Sequence, residues 1–571
     1  MPGRHRPGLF GSRRLRAPLL AGAAAALIGV TAFAVRTVTA EAEGCGTGNS
    51  VRLTVAAAPA VTPAIQDVAA RWSATRPQVA GECIRIEISP VEPAVVASRL
   101  AVRDGATLDV AASPVPTPRE DDIPAVWIPD SISWVTRVLT VDRDVFDGDT
   151  PSVAMSPVVL AMNEPAARAL VPPGQRLPLT RLGAALTAKH PPLKLVVADP
   201  RRDAASLAGA MVLRDVVVVG KADLPKLVGV YRTVGHGIPD QATLLKAFGD
   251  PKAAAPLSEQ AVLAYDRGNP DTALTAVPLD PPAPAVDYPY AKVAGKSRAV
   301  SRAADLFRQA LLAPANRGVF ASYGFRLPDG SVAPGFPGGH GAIADRVATM
   351  RISDATKVSD VIGVWTAANT PSRVLALLDV TSSMTGFLRT AKGPRTRLDV
   401  ERGAATGGLR MFTDDSRVGL WRFAGGIGGA KDWREAVPIR PLTRAQRAAL
   451  DTAVARSTAA YTNSFDLYAT VLDAYRSMRD GYVPGMSNTI VVFTDGRDDK
   501  PGAPSIDEVM TSLEKMVDVT RPVRVVVLGI GPDVDLTGLR QIAKATGGNA
   551  FQVDNPDEIS QIFLAALLRV S

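Results

Sequence analysis

Apolar positions along the chain fall into short runs that alternate with stretches of helical spacing. Residues 51–58 (VRLTVAAA) form an apolar, β-branched run that predicts a strand, and 63–75 predict an amphipathic helix. Further strands are predicted at 84–89, 108–111 and 126–128. The run VAMSPVVLAM at 153–162 contains a proline, which suits a bent crossover strand better than a central one. Apolar runs at 193–197, 209–219 and 274–277 continue the alternation, and 302–312 predicts a helix. This rhythm predicts α/β units around parallel sheets.

Residues 327–372 change character: LPDGSVAPGFPGGHGAI is rich in Gly and Pro and has no periodicity, which reads as a loop or linker. The α/β rhythm restarts at 373–378. It continues through strands expected at 417–423, 489–493 and 523–529 and a helix expected at 535–545. A chain of 571 residues exceeds the ~250–300 that one core usually supports, so at least two domains are expected. The divisions are 1–40 as an N-terminal segment, 46–330, a connecting segment 331–371, and 372–571.

Charge sharpens the reading of the N-terminus. The formal net charge is +8, but six Arg and no acid lie within residues 1–40, so the body of the chain is nearly neutral. That distribution gives no footprint for a polyanion, and no nucleic-acid partner is expected. Five of those Arg precede the uncharged stretch 17–35, the pattern of a signal anchor or of a signal peptide cleaved after Ala40. Positive-inside bias places everything after Arg36 outside the cytoplasm. Cys45 and Cys83 are the two cysteines, and an even count in an oxidising compartment suggests a disulfide between them.

The candidate chemistry lies in the last two hundred residues or so. The apolar run 374–378 leads straight into Asp379-Val380-Thr381-Ser382-Ser383, and strand ends in open α/β sheets face the ligand crevice. Asp379, Thr381 and Ser383 put three oxygen-bearing side chains at alternate positions, able to converge on one hard cation. Thr462 precedes a helix expected to start near Asp466, and Asp495 follows the strand expected at 489–493. Two carboxylates with hydroxyls suit Mg²⁺, with Mn²⁺ or Ca²⁺ as alternatives. This three-part pattern resembles the metal-ion-dependent adhesion site of von Willebrand factor A (VWA) domains, Asp-x-Ser-x-Ser with a distant Thr and a distant Asp. Thr381 stands where that family usually has Ser. The resemblance covers 372–571 and implies that Ser383 and Thr381 ligate directly or through water. It further implies that Thr462 is a switchable ligand, that Asp379 and Asp495 lie close in, and that a partner protein's acidic group completes the metal shell.

Residues 46–330 resemble bacterial extracytoplasmic substrate-binding proteins, especially the branch related to molybdate binders. The resemblance rests on 53–72, VWIPD at 126–130, SPVVLAM at 156–162 and the tail 303–326. It implies two α/β lobes joined by crossing strands, with a ligand in the cleft. Molybdate binders usually place a Ser after the first strand, where this chain has Ala57-Ala58-Pro59. Ser113, Ser131 and Ser156 fall at expected strand ends, but no solute-binding residue is assigned. The expected fold class is therefore α/β, a bilobed periplasmic-binding-protein-like domain followed by a doubly wound, Rossmann-like VWA domain.

Enzymatic signatures are missing. Gly295-Lys296-Ser297 lacks the first Gly of a phosphate loop, since Tyr290 stands there, and no Gly-x-Ser-x-Gly elbow occurs. The expectation is a non-enzymatic extracytoplasmic binding protein, membrane-anchored through its N-terminal segment or secreted. Its partner would be a protein, with a small solute as a second ligand. The alternatives are a solute receptor for a membrane transporter, or a regulatory VWA partner of a metal-insertion or ATP-driven complex.

Overall fold

Strand Ser50–Ala57 buries Val51, Leu53 and Val55 on one face and pairs in parallel with Glu82–Pro90 and Val126–Ile128. The structure, a computed structural model, describes residues 50–553 except 111–115, 189, 219–223, 340–342, 344, 349, 391–392, 411, 461–464, 497–499 and 519. Around this strand lies a sheet ordered Gln78–Val79, Glu82–Pro90, Ser50–Ala57, Val126–Ile128, Ala291–Val293, Phe146–Asp147. A second sheet, ordered Leu274–Val277, Val158–Asn163, Ala253–Ser258, Lys194–Leu195, forms the other lobe. Two crossing segments link them, bridged in antiparallel fashion at Ser152 with Pro289 and Ser156 with Val286. Pro157 explains why the expected 153–162 strand starts only at Val158: a proline supplies no ladder N–H.

Several expectations shift for physical reasons. Residues 209–217 of the expected 209–219 run lie in helix Ala204–Val217, whose residues are buried on most sides, and continuous burial erases the periodicity that separates helix from strand. Residues 108–110 lie in no strand.

The connecting segment contains more than linker. Helix Ala355–Asn369 begins at Asp354, whose side chain accepts the N–H groups of Thr356 and Lys357. Its Val358, Val361 and Trp365 join the core of the first unit. Trp365 packs on Tyr231 with ring centroids 5.2 Å apart, and Gly235 makes room, since a methyl there would strike the Trp365 ring. The helix touches both lobes: Thr366 Oγ1 donates to Asp109 Oδ2 at 3.0 Å, and Asn369 Nδ2 donates to Tyr231 O at 3.3 Å.

Three residues after this helix the chain enters strand Ser372–Asp379, the centre of the final domain. The sheet runs Trp433–Pro441, Arg417–Phe423, Ser372–Asp379, Ser487–Thr494, Val523–Ile530, Ala550–Val553. All neighbours are parallel except Trp433–Pro441, which pairs antiparallel with Arg417–Phe423. The antiparallel strand occupies the edge of the sheet and leaves 417–423 interior. Helices Arg397–Leu409 and Arg444–Ala455 cover one face, and Leu467–Asp480, Ile506–Glu514 and Thr537–Ala545 cover the other. The fold is doubly wound. From its first strand the chain builds outward on one side, then crosses to build the other. The order therefore reverses between Ser372–Asp379 and Ser487–Thr494, and ligand crevices form at that switch point, outside the carboxyl ends of the strands.

Candidate metal centre

Asp379 ends one of these two strands and Asp495 follows the other, so register brings together residues more than a hundred positions apart. Asp379 is fully buried. Its Oδ1 accepts Thr381 N–H at 3.0 Å and Thr381 Oγ1 at 2.6 Å, and its Oδ2 accepts Thr494 Oγ1 at 2.7 Å. Thr381 Oγ1 lies 2.9 Å from Ser383 Oγ. Asp379, Thr381 and Ser383 thus form one connected set of oxygens, held by a short 3₁₀ turn over Ser382–Thr385. Thr494 Oγ1 also accepts Gly496 N–H at 3.0 Å, fixing the turn that carries Asp495.

Asp495 is 2% exposed; its Oδ2 accepts Arg397 Nη1 at 3.0 Å, while its Oδ1 is buried and has no hydrogen-bond partner. Burial, and then the nearby Asp495 carboxylate, push the Asp379 pKa up to about 7. Glu401, on helix Arg397–Leu409, adds a third buried acid; its Oε1 accepts Asp379 N–H at 2.9 Å and its Oε2 has no partner. Burial and the Asp379 charge raise its pKa well above the ordinary carboxylate range.

A cation fits this donor set. An unpartnered, buried carboxylate oxygen costs free energy that a cation removes, and hard oxygens beside hydroxyls match the preference of Mg²⁺. Among the described residues no three His, Cys, Asp or Glu side chains are grouped so as to hold a metal ion, so the hydroxyls of Thr381 and Ser383 matter. Thr462 lies outside the described residues. The neighbouring loops are tied together by Asp432. Its Oδ1 accepts Gly426 N–H at 3.0 Å, and its Oδ2 accepts Asp466 N–H at 2.9 Å and Lys500 Nζ at 2.8 Å.

Arg397, Glu401 and Thr494 do not emerge from the sequence pattern around Asp379 and Asp495. A signal existed for two of them: Arg397 and Glu401 are four residues apart and so share one helix face.

Residues 375–565 match the family model of the von Willebrand factor type A domain, and 53–326 match that of bacterial extracellular solute-binding protein. The chain joins a solute-binding domain to a VWA domain. Two uncharacterized proteins of Mycobacterium tuberculosis, one from strain CDC 1551 / Oshkosh and one from ATCC 25618 / H37Rv, are 25% identical over 461 residues. The match covers 75% of this chain and 64% of each relative, so the chain spans about two thirds of the curated proteins it matches. Among solved structures, a periplasmic thiamin binding protein is 10% identical over 57% of this chain and 98% of its own, at a TM-score of 0.41. A von Willebrand factor type A protein from Catenulispora acidiphila is 18% identical over 35% of this chain and 43% of its own, at 0.29. Proximal thread matrix protein 1 of the mussel byssus, solved with a zinc-occupied MIDAS motif, is 16% identical over 35% of this chain and 48% of its own, at 0.27.

In the solute-binding domain two of the serines at expected strand ends are engaged by backbone N–H groups. Ser131 caps helix Ile132–Leu139 by accepting Ser133 N–H at 3.1 Å, and Ser156 Oγ accepts Gln260 N–H at 2.9 Å. Ser113 lies outside the described residues. Between the lobes sit buried acids. Asp130 accepts Trp134 Nε1 at 2.8 Å, and burial with the nearby Asp203 raises its pKa to about 7. The 17–35 stretch and Cys45 also fall outside the described residues, among which no helix is long and apolar enough to cross a membrane. Cys83 lies in strand Glu82–Pro90.

Proposed function

We propose that the VWA domain binds a partner protein through a divalent cation, Mg²⁺ in preference to Mn²⁺ or Ca²⁺. Asp379, Thr381, Ser383, Thr462 and Asp495 would hold the ion, and a partner carboxylate would complete its shell. The observation that carries this reading is the buried, unpartnered Asp495 Oδ1 beside the Asp379–Thr381–Ser383 oxygens at the switch point of the sheet. A bound ion supplies an electrophilic position open to a carboxylate; the chain's own residues orient the oxygens, and burial excludes competing water. Protein contact is supported by the hairpin Phe387–Thr390/Gly393–Thr396. It rises directly after the Ser382–Thr385 turn and leaves Phe387 75% exposed on the same face as exposed Arg389, with Arg395 exposed on the other face.

In this reading the protein acts outside the cytoplasm, anchored by residues 17–35 or secreted after cleavage at Ala40, with Cys45 and Cys83 joined as a disulfide. The solute-binding domain would add a small-ligand site, and neither domain would be an enzyme. The divisions at 46–330, 331–371 and 372–571 stand in this proposal, with helix Ala355–Asn369 belonging structurally to the first unit. A cross-linked pull-down with and without Mg²⁺ tests it: capture that disappears in EDTA and in D379A is expected. Equal capture in EDTA would contradict it.

A further inference from the structure

We infer that Arg397 is a tethered counter-cation of the metal centre, holding Asp495 when no metal is bound and competing with a divalent ion for it. This rests on the metal-site reading above and concerns how that site is regulated.

The guanidinium is built into the site. Arg397 is 9% exposed, and its backbone N–H donates to Gly386 O at 2.8 Å, fixing the helix start at the base of the hairpin. Its Nη1 donates to Asp495 Oδ2 at 3.0 Å, and its Nη2 bonds Asp533. Gly531, at φ +121°, gives it room, because a Cβ there would lie 3.1 Å from Arg397 Nε. The two carboxylates on the fork differ: the Asp495 side chain is 1% exposed and that of Asp533 60%. The inner one belongs to the proposed ligand set, and the outer one faces solvent.

Two consequences follow from charge. A guanidinium on Asp495 already neutralises part of the acid cluster formed with Asp379 and Glu401, and so weakens the pull on a dication. A dication entering beside it meets a like charge at contact range, where Coulomb repulsion is strongest. Asp533 offers the displaced fork a second anchor, so metal entry shifts Arg397 outward without leaving it unpaired. The residue sets an affinity threshold: the ion must outcompete an internal cation.

The experiment is a Mn²⁺ titration of the full chain, with free Mn²⁺ read by electron paramagnetic resonance, on wild type, R397Q and D533N. Melting temperatures in EDTA serve as the fold control. R397Q is expected to bind Mn²⁺ about tenfold more tightly or better, because one repelling charge is gone. D533N is expected to bind more weakly, because the fork then has Asp495 alone. A purely structural role for Arg397 would weaken binding in both, so the opposite directions are diagnostic. Wild-type binding with R397Q unchanged or weaker overturns this inference and leaves the metal site standing. No binding in wild type overturns the metal-site reading and this inference with it. Should R397Q fail to fold, R397M takes its place in the titration: binding tighter than wild type supports the inference, and binding equal or weaker overturns it.

Discussion

Glu401 accepts the backbone N–H of Asp379 at 2.9 Å, so a fully buried carboxylate from the first covering helix braces the end of the metal-site strand. The bond satisfies an N–H that leaves the ladder where the strand ends, but it places a second acid behind Asp379. Glu401→Gln keeps the acceptor and removes a potential charge, so it is expected to keep or gain stability. Glu401→Ala leaves the Asp379 N–H without an acceptor and is expected to lose about 1–3 kcal/mol. Urea unfolding of both variants in EDTA measures the difference.

Helix Ala355–Asn369 is expected to be part of the first unit's fold. A fragment ending at residue 330 should melt well below one ending at 371, since the shorter piece uncovers Tyr231 and the surface around Gly235. In the full chain, Trp365→Ala should cost about 3–5 kcal/mol by leaving a cavity under a buried ring. Calorimetry of the fragments and denaturant melts of the variant check both. Equal melting temperatures for the two fragments would remove the helix from the unit.

Arg326 and Glu259 form a bidentate pair at 2.6 and 2.9 Å with both side chains fully buried. Arg326 also donates to the Asp345 and Gly330 carbonyls at 2.8 and 3.2 Å, so it gathers the loop that precedes helix Ala355–Asn369. Glu259→Gln strands a buried guanidinium and is expected to cost about 3–5 kcal/mol, far more than breaking an exposed pair. Chemical denaturation of this variant beside Asp329→Asn, which weakens the exposed Arg346 pair, makes the comparison.

Asp130 predicts a pH dependence of the first unit. Its folded pKa of about 7 stands above the ordinary carboxylate value near ~4, so the folded state holds the proton more tightly. The stabilisation is complete below the unfolded value and is lost as pH rises through 7. Linkage makes the loss about 2–3 kcal/mol between pH 5 and 8. Asp130→Asn mimics the protonated acid and keeps an oxygen for Trp134 Nε1, so its stability should lack that decline. Melting curves of both proteins across this range test the sign.

The legible part of the site was the local part. Asp379, Thr381 and Ser383 lie within five residues, and an apolar run pointing at them announces a strand end. Asp495 was readable for the same reason, sitting just past its own run. Arg397 and Glu401 reach the centre only because their helix packs over the sheet, and nothing near them in sequence says which face turns inward. Glu401 in particular sits between Val400 and Arg402 and reads as an ordinary surface acid until its burial is known. Helix Ala355–Asn369 is hidden for another reason. Its Val358, Val361 and Trp365 keep helical spacing, but they follow a Gly/Pro-rich stretch whose composition argues for linker throughout. In helix Ala204–Val217, burial on most sides turned a helix into what looks like a buried strand.

The central claim is that the oxygens around Asp379 and Asp495 hold a divalent cation. Isothermal titration of the full chain with Mg²⁺, wild type against Asp379→Ala, tests it most directly, with circular dichroism confirming that both are folded. One saturable ion per wild-type chain, lost in Asp379→Ala, is the predicted result. Absence of binding in wild type, or equal binding in the folded variant, would contradict the account.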